Sequence, residues 1–239
     1  MSHPKPADLD RPIWEALTTR HAHLALGDTL VRRYHPDVAP FAALATATPD
    51  AYAALHRLLQ PGQQVALLST EPLPSYDALQ ITRVGILHQM VANTRKAPKA
   101  ASVEKLDVIR LTQADNDDML DLAGRTRPGP FSVRTRETGD YIGVRDNGRL
   151  IAMAGERLHL DGYVEISAVC VDETHRGRGL AGRLMQILQR EIEARAETPF
   201  LHVFSDNLAA IGLYERLGFE LRRAFHLARV EHAASRESI

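Results

Sequence analysis

The sequence has very little cysteine and no long apolar run, and each shortage removes a class of protein. Its 239 residues include a single cysteine, Cys170, which excludes an internal disulfide and a structural zinc site built on cysteines. No stretch approaches the ~18 uninterrupted apolar residues of a membrane-spanning helix, and the polar, proline-rich segment 1–14 is unlike a signal peptide. These absences predict a cytoplasmic protein that has no membrane partner.

An excess of charge of one sign is also lacking. Lysines and arginines number 29 against 30 aspartates and glutamates, which gives a formal net charge of −1. Without a dense run of basic residues, the chain offers no general positive field for nucleic acid. The 11 histidines are scattered and no His-Glu-x-x-His motif occurs. We therefore expect neither a nucleic-acid partner nor a bound metal.

The composition that is present, 44% hydrophobic and 25% charged, is ordinary for a globular protein. The polar segment 94–102 contains a proline and is typical of a linker. We therefore predict an N-terminal α/β domain over 1–93, a second domain over 103–231 and a tail over 232–239. Within the first domain the sequence predicts a helix that begins after Asp10 and contains Ile13, Leu17 and Leu24, a helix over 49–59, and strands over 65–69 and 85–92.

The second domain shows a clearer order of predicted elements. Asn147-Gly148 and Asp161-Gly162 are typical of hairpin turns, so the strands that they separate run antiparallel. After Gly179 the apolar residues fall on one face of a long helix. The fold class is thus α/β of the α+β kind, with a mixed, mostly antiparallel central sheet flanked by helices. Predicted strands cover 108–111, 141–145, 150–157, 163–171, 200–205 and 219–230, and predicted helices cover 112–122, a segment from 179, and 208–217.

A glycine-rich segment lies between the strand that ends at Val171 and the long helix. Unpaired N–H groups at a helix start, together with the helix dipole, favour an anion, and Gly177 and Gly179 leave room for a phosphate. Arg176 and Arg178 can add charge-assisted contacts. The segment therefore predicts a pyrophosphate site.

Two other interpretations of this segment remain open. Gly177, Gly179 and Gly182 also match the dinucleotide fingerprint G-x-G-x-x-G, which would indicate a nucleotide-cofactor oxidoreductase. That motif follows its strand directly and starts from a parallel crossover, whereas here 172–176 intervene and the preceding strands form hairpins. The third interpretation is a glycine-rich turn that merely begins a packed helix.

Two motifs in the right order resemble the signatures of the GNAT superfamily of N-acetyltransferases. Arg176-Gly-Arg-Gly-Leu-Ala181 is similar to R/Q-x-x-G-x-G/A, and Asn207-Leu-Ala-Ala-Ile-Gly-Leu-Tyr214-Glu-Arg-Leu-Gly-Phe219 is similar to N-x-x-A-x-x-x-Y-x-x-x-G-F. The resemblance covers roughly 103–230. It implies a GNAT-like fold, acetyl-CoA or another acyl-CoA as co-substrate, and direct acyl transfer to a primary amine in a ternary complex.

The resemblance also implies roles for single residues. Asn207 and Tyr214 lie two helical turns apart and project on nearly the same side. Asn207 would contact the pantetheine and the Tyr214 phenol would protonate the leaving thiolate, although Asn207 also suits a helix N-cap and Tyr214 could pack in the core. The implied donor-binding residues are Val169, Cys170 and Val171 through their backbone, then Arg176, Gly177, Arg178, Gly179, Leu180 and Ala181, with Asn207 and Tyr214.

An amine acceptor is protonated near neutral pH and must lose a proton before it attacks. Glu165 is the predicted base, directly or through water. It precedes Arg176 by the same spacing as the catalytic glutamate of the superfamily's histone-modifying members. His202 and His159 are alternatives, and each of these residues could instead be structural. Cys170 is predicted to pack in the core rather than act as a nucleophile.

Acceptor-binding residues are expected in and after the loop 126–131, namely Arg127, Phe131 and Arg134. The alternative is a rigid connector in which Phe131 fills the core. The N-terminal part resembles a degenerate GNAT-like half, as in the two-part subgroup that contains glycine N-acyltransferases. Because 1–93 repeats no phosphate-loop signature, its expected role is to close the acceptor side or form a homodimer. A non-catalytic acyl-CoA sensor, which would need neither Tyr214 nor Glu165, is the remaining alternative.

Overall fold

The computed structural model describes residues 5–93 and 107–233. The predicted linker over 94–102 lies outside these residues, as do 103–106 and the tail residues 234–239. The described α-helices are α1 Pro12–Thr18, α2 Pro49–Leu58, α3 Asn116–Thr126, α4 Leu180–Ala194 and α5 Leu208–Arg216.

The strands form one continuous sheet in the order β1-β2-β3-β4-β11-β5-β10-β9-β8-β7-β6. Two neighbouring pairs, β3 with β4 and β9 with β10, run parallel, and the other described pairs run antiparallel. The fold class predicted from the sequence is therefore confirmed. The strand bounds are β1 Ala25–Gly27, β2 Val31–Tyr34, β3 Phe41–Leu44, β4 Gln64–Ser69, β5 Leu79–Ala92, β6 Ile109–Leu111, β7 Tyr141–Asp146, β8 Arg149–Leu160, β9 Tyr163–Val171, β10 Thr198–Phe204 and β11 Phe219–His232.

The two halves of the sheet contain the same succession of strands and helix, arranged on opposite sides of its centre. On one side β1, β2 and β3 lead through α2 to the parallel strand β4, and on the other β7, β8 and β9 lead through α4 to the parallel strand β10. The strand that follows is exchanged between the halves: β11 lies beside β4, whereas β5 lies beside β10. Both halves of the sheet thus contain the same order of three strands, a helix and a parallel strand.

Several element boundaries differ from the sequence prediction. The first helix ends at Thr18, and Leu24 lies in a separate 3-10 turn. The short strands β1 to β3 were not predicted, and β5 begins at Leu79 rather than Gly85. Strands of three or four residues contain too few alternating positions to give a clear period-2 signal. In contrast, β9 has the predicted bounds.

Helix α4 forms the main packing contact above the second half of the sheet. Its apolar face buries Leu184, Leu188 and Ile192 completely, against β8, β9 and β10. Burying a leucine or isoleucine side chain contributes about 1.5–3 kcal/mol. This packing therefore fixes the helix start, and with it the glycine-rich segment, relative to the sheet.

Across residues 5–93 and 107–233, no helix is both long and apolar enough to cross a membrane. Nor does that part of the chain bring together three or more histidine, cysteine, aspartate or glutamate side chains that could hold a metal ion.

Candidate active site

A cavity opens where the two parallel strands β9 and β10 separate. The strands are paired only from Tyr163 to Glu165 and from Thr198 to Phe200, and beyond these residues they diverge. The resulting cavity has a volume of about 600 Å³. Val169 of β9 and Phe204 of β10 line it, and Ile13 and Phe41 contribute lining from the N-terminal half of the chain.

A β-bulge in β9 lies beside this cavity. Ala168 and Val169 stand opposite the single residue Ala154 of β8, because the register shifts between the pairs Met153/Cys170 and Gly155/Ser167. Ala168 has a φ of 52°, a conformation that is uncommon outside glycine. Bulges of this kind re-aim backbone and side-chain groups next to functional sites, and Val169 lines the cavity as a result.

The glycine-rich segment forms an open loop at the start of α4. Gly177 and Gly179 have φ values of 78° and 74°, and a Cβ added to either would meet no heavy atom within 4 Å. Gly179 is the N-cap of α4 and offers no capping side chain, so the first N–H groups of the helix are left for a ligand. Arg176 and Arg178 are exposed beside them. The arrangement suits an anion such as a pyrophosphate.

Helix α5 brings Asn207 and Tyr214 to the same cavity. Both residues line it. The side chain of Asn207 accepts a hydrogen bond from the Ala210 N–H at 3.2 Å, which makes it the N-cap of α5. Burial raises the pKa of the Tyr214 phenol, so the hydroxyl keeps its proton at neutral pH. The pair predicted from the sequence therefore meets in one place.

Glu165 does not line the cavity but lies beneath it, fully buried. Its carboxylate accepts two hydrogen bonds from Arg157, at 2.6 and 2.8 Å, and one from His202 at 2.7 Å. Burial alone would raise its pKa, but the charge of Arg157 and the bonds from Arg157 and His202 lower it to about 2. Such a carboxylate is a weak base, and the geometry does not favour direct proton removal by Glu165.

The orientation of the His202 ring follows from its neighbours. The Gln89 carbonyl accepts from Arg222 at 3.0 Å, and the Gln89 amide nitrogen donates to the Leu9 carbonyl at 2.8 Å. That nitrogen lies 3.2 Å from His202 Nε2, so Nε2 must accept, and the ring hydrogen stands on Nδ1 and is donated to Glu165. His202 is thereby held in one tautomer.

The other predicted site residues fall in different places. Arg127 lines the cavity. Phe131 packs edge-on against Tyr141 beside a core cluster, and Arg134 forms a surface ion pair with Glu137, so neither belongs to the cavity lining. The Cys170 side chain is buried in that same cluster, and burial raises its pKa to about 11.

His159 is likewise not part of the cavity, since it bonds Glu156 and stacks on His21. Sequence reasoning missed Arg157 and Gln89. Each lies in a strand, and the sequence alone does not distinguish a polar residue that faces a cavity or the core from one that faces solvent. Only the pairing register of the strands shows which side each residue faces.

The chain matches the model of the FR47-like protein family over residues 141–229. It is 31% identical over 140 residues to the N-alpha-acetyltransferase RimI of Mycobacterium tuberculosis, covering 53% of this chain and 87% of that relative. It is 28% identical over 198 residues to a mycothiol acetyltransferase of Mycolicibacterium vanbaalenii, covering 78% of this chain but 60% of that relative.

A solved structure matches over almost the whole length. The chain is similar, with a TM-score of 0.86 and 37% identity, to a Novosphingobium aromaticivorans protein described as an acetyltransferase from the GNAT family. The match covers 98% of this chain and 100% of that structure. The chain thus belongs to the GNAT family of N-acetyltransferases. It is an enzyme of the class that uses acetyl-CoA as co-substrate and transfers the acetyl group to an amine.

Proposed function

We propose that the enzyme transfers an acetyl or other short acyl group from acyl-CoA directly to a primary amine, in a ternary complex held between β9 and β10. The observation that carries the proposal is the convergence of Val169, Asn207 and Tyr214 on one cavity beside the open loop of α4. The N–H groups of 176–181 would bind the pyrophosphate, and the bulged backbone at 169–171 would pair with the pantetheine like an added strand.

The amine would attack the thioester carbonyl carbon, after which the carbon–sulfur bond breaks and the sulfur leaves with its electron pair. Tyr214 would donate its hydroxyl proton to that sulfur, and the proton that the attacking nitrogen loses as the amide forms would return through water to the Tyr214 oxygen. Because burial raises the pKa of Tyr214, the proton is present at the start of the step. No covalent acyl-enzyme is required, since positioning the two substrates together supplies much of the rate.

We propose that Glu165 acts through its neighbours as a positioning residue. It fixes Arg157 by two hydrogen bonds and accepts the Nδ1 hydrogen of His202. The amine would then lose its proton to water before attack, favoured by the positive charge of Arg127 at the cavity. On this proposal kcat/KM rises with pH along the ionisation of the acceptor amine. If the midpoint of the rise of kcat/KM with pH were the same for acceptor amines of different pKa, a base on the enzyme would be required instead.

Donor binding is tested by thermal unfolding with acetyl-CoA and, as a control ligand, NAD. At a hundredfold excess over Kd, a ligand specific for the folded state should raise Tm by about 5 °C or more. We expect this rise with acetyl-CoA and none with NAD. Stabilisation by NAD alone would overturn the proposal.

Catalysis is tested by Tyr214→Phe, which keeps the ring packed on Phe219 but removes the proton. Loss of a general acid should lower kcat about 10²–10⁴-fold and leave the KM for acetyl-CoA nearly unchanged. Tyr76→Phe is the matched control, because Tyr76 stacks on Tyr52 away from the cavity. An unchanged kcat would remove Tyr214 as the acid, and no turnover of any amine by the unmodified enzyme would favour a non-catalytic sensor.

A further inference from the structure

The cavity that receives the acceptor contains positive charge and no compensating carboxylate of its own. Its titratable lining consists of Arg127, Arg157, His202 and Tyr214, and none of the lining side chains in the described chain is an aspartate or glutamate. Glu165 beneath the floor neutralises Arg157. Arg127 forms an ion pair with no carboxylate among residues 5–93 and 107–233, so the cavity keeps a net positive charge.

The backbone conformation of Arg127 indicates that its side chain has a functional role. Arg127 caps the C-terminus of α3 with a φ of 49°, in the left-handed region, and its N–H donates to the Ala123 carbonyl. Glycine is the usual residue at such a cap. A residue with a side chain in this strained conformation, at the rim of a cavity, points to a role for that side chain.

Arg157 offers a second donor that is fixed in place. Its Nε and Nη2 both bond Glu165, and its guanidinium lies 5.0 Å from the centre of the Phe41 ring. Among the contacts of the described residues, Nη1 is the guanidinium nitrogen left for a ligand. A fixed guanidinium loses little conformational freedom when it binds a carboxylate.

Resting on the proposed acyl transfer, we propose that the acceptor is an amine that also carries a carboxylate, of the amino-acid class, and that Arg127 with Arg157 Nη1 binds this carboxylate. The apolar walls formed by Phe41, Leu68 and Leu87 would contact an apolar side chain. A polyamine or a lysine-rich segment would bring further positive charge to a cavity without a carboxylate, which disfavours its binding.

The proposal is tested with three acceptors that differ only in the carboxylate: an apolar amino acid, its carboxamide, and the corresponding amine without the carboxyl group. Spermidine is included as a polycationic acceptor. Release of CoA is measured at several pH values, and rates are compared per concentration of deprotonated amine. A charge-assisted contact is expected to give the amino acid at least a tenfold higher kcat/KM than its carboxamide. The variants are Arg127→Gln, Arg127→Lys and the surface control Arg20→Gln, whose native side chain pairs with Asp161.

We expect Arg127→Gln to raise the KM for the amino acid about tenfold or more and to remove the preference over the carboxamide, without changing the KM for acetyl-CoA. Arg127→Lys should restore part of the preference, and Arg20→Gln should behave like the unmodified enzyme. Turnover with equal rates for amino acid and carboxamide, or a changed KM for acetyl-CoA instead of the acceptor, would overturn this inference alone. Absence of CoA release with every amine would instead overturn the proposed function.

Discussion

At the scale of single residues, the environment of Glu165 determines whether its carboxylate can accept a proton during the reaction or remains a fixed anion. The same type of pair, an arginine that donates Nε and Nη2 to one glutamate, occurs twice among the residues that the structure describes. Arg157 and Glu165 form it in the interior, with 14% and 0% side-chain exposure, whereas Arg134 and Glu137 form it at the surface, with 40% and 37%. The two pairs share the arrangement of donors and differ in burial, and Glu165 has His202 as an additional donor.

Glu165→Gln is expected to destabilise the protein by about 3–5 kcal/mol, because it leaves Arg157 as an uncompensated buried charge. Glu137→Gln, the surface control, should cost about 1 kcal/mol or less. Urea unfolding of the two variants measures the difference. Equal losses would show that Arg157 finds another partner when Glu165 is neutralised.

The pH dependence of stability follows from the lowered pKa of Glu165. Its pKa is about 2 in the folded protein against an ordinary value of 4.5, so its stabilisation is fully present above about pH 5 and is lost as the pH falls towards 2. In Glu165→Gln this part of the acid dependence should disappear, so the slope of unfolding free energy between pH 5 and 2 becomes shallower. An unchanged slope would assign the acid sensitivity to other carboxylates.

At the scale of elements, β-bulges place the site. They include those at Arg222 in β11, at Arg157 in β8, at Val169 in β9 and at Val84 in β5. Alternation and turn signals in the sequence predicted β8 and β9 and the helix that follows them. They could not predict the bulges, because a bulge changes which residues face each other across strands without leaving a periodic signal. Asn207, Tyr214 and the loop at 176–181 were accessible to sequence motifs, whereas Arg157 and Gln89 were not.

The loop that begins α4 allows a sharp test, since its Gly179 shares a positive φ and open surroundings with Gly148, which lies in the hairpin turn between β7 and β8. Gly179 and Gly148 both have positive φ values, 74° and 82°, and at both an added Cβ would meet no atom within 4 Å. Replacing either by alanine should cost about 1–2 kcal/mol of stability. We expect Gly179→Ala alone to raise the KM for acetyl-CoA about tenfold or more, because its Cβ enters the space of the phosphate. A similar rise in Gly148→Ala would mean that lost stability, not the added Cβ, weakens binding.

At the scale of the whole molecule, the exchange of β5 and β11 joins the two halves. Strand β5 pairs with β11 over almost its whole length and with β10 from Leu87 to Val91. Ile13 and Phe41 of the first half also complete the cavity of the second. The sequence predicted two domains and a linker, because the composition of a segment indicates where a connection lies. Composition contains no information on which strands are neighbours in a sheet, so the exchange of β5 and β11 could not be predicted from it. The cavity proposed as the active site is therefore lined by residues from both halves.

The exchange predicts that the C-terminal half cannot fold alone. A chain starting at residue 103 lacks β5, so β10 and β11 lose the strand between them and expose unpaired backbone groups of the kind that promote aggregation. We expect this half to show no cooperative thermal transition and no stabilisation by acetyl-CoA, whereas the full chain unfolds in a single transition. Adding separately produced 1–93, which contains β5, should restore both signals if strand pairing is the missing element. A C-terminal half that unfolds cooperatively by itself and is stabilised by acetyl-CoA would show that β5 is dispensable. The first half would then serve only to complete the acceptor side of the cavity, and in that half-enzyme the preference for a carboxylate should persist, because both Arg127 and Arg157 remain.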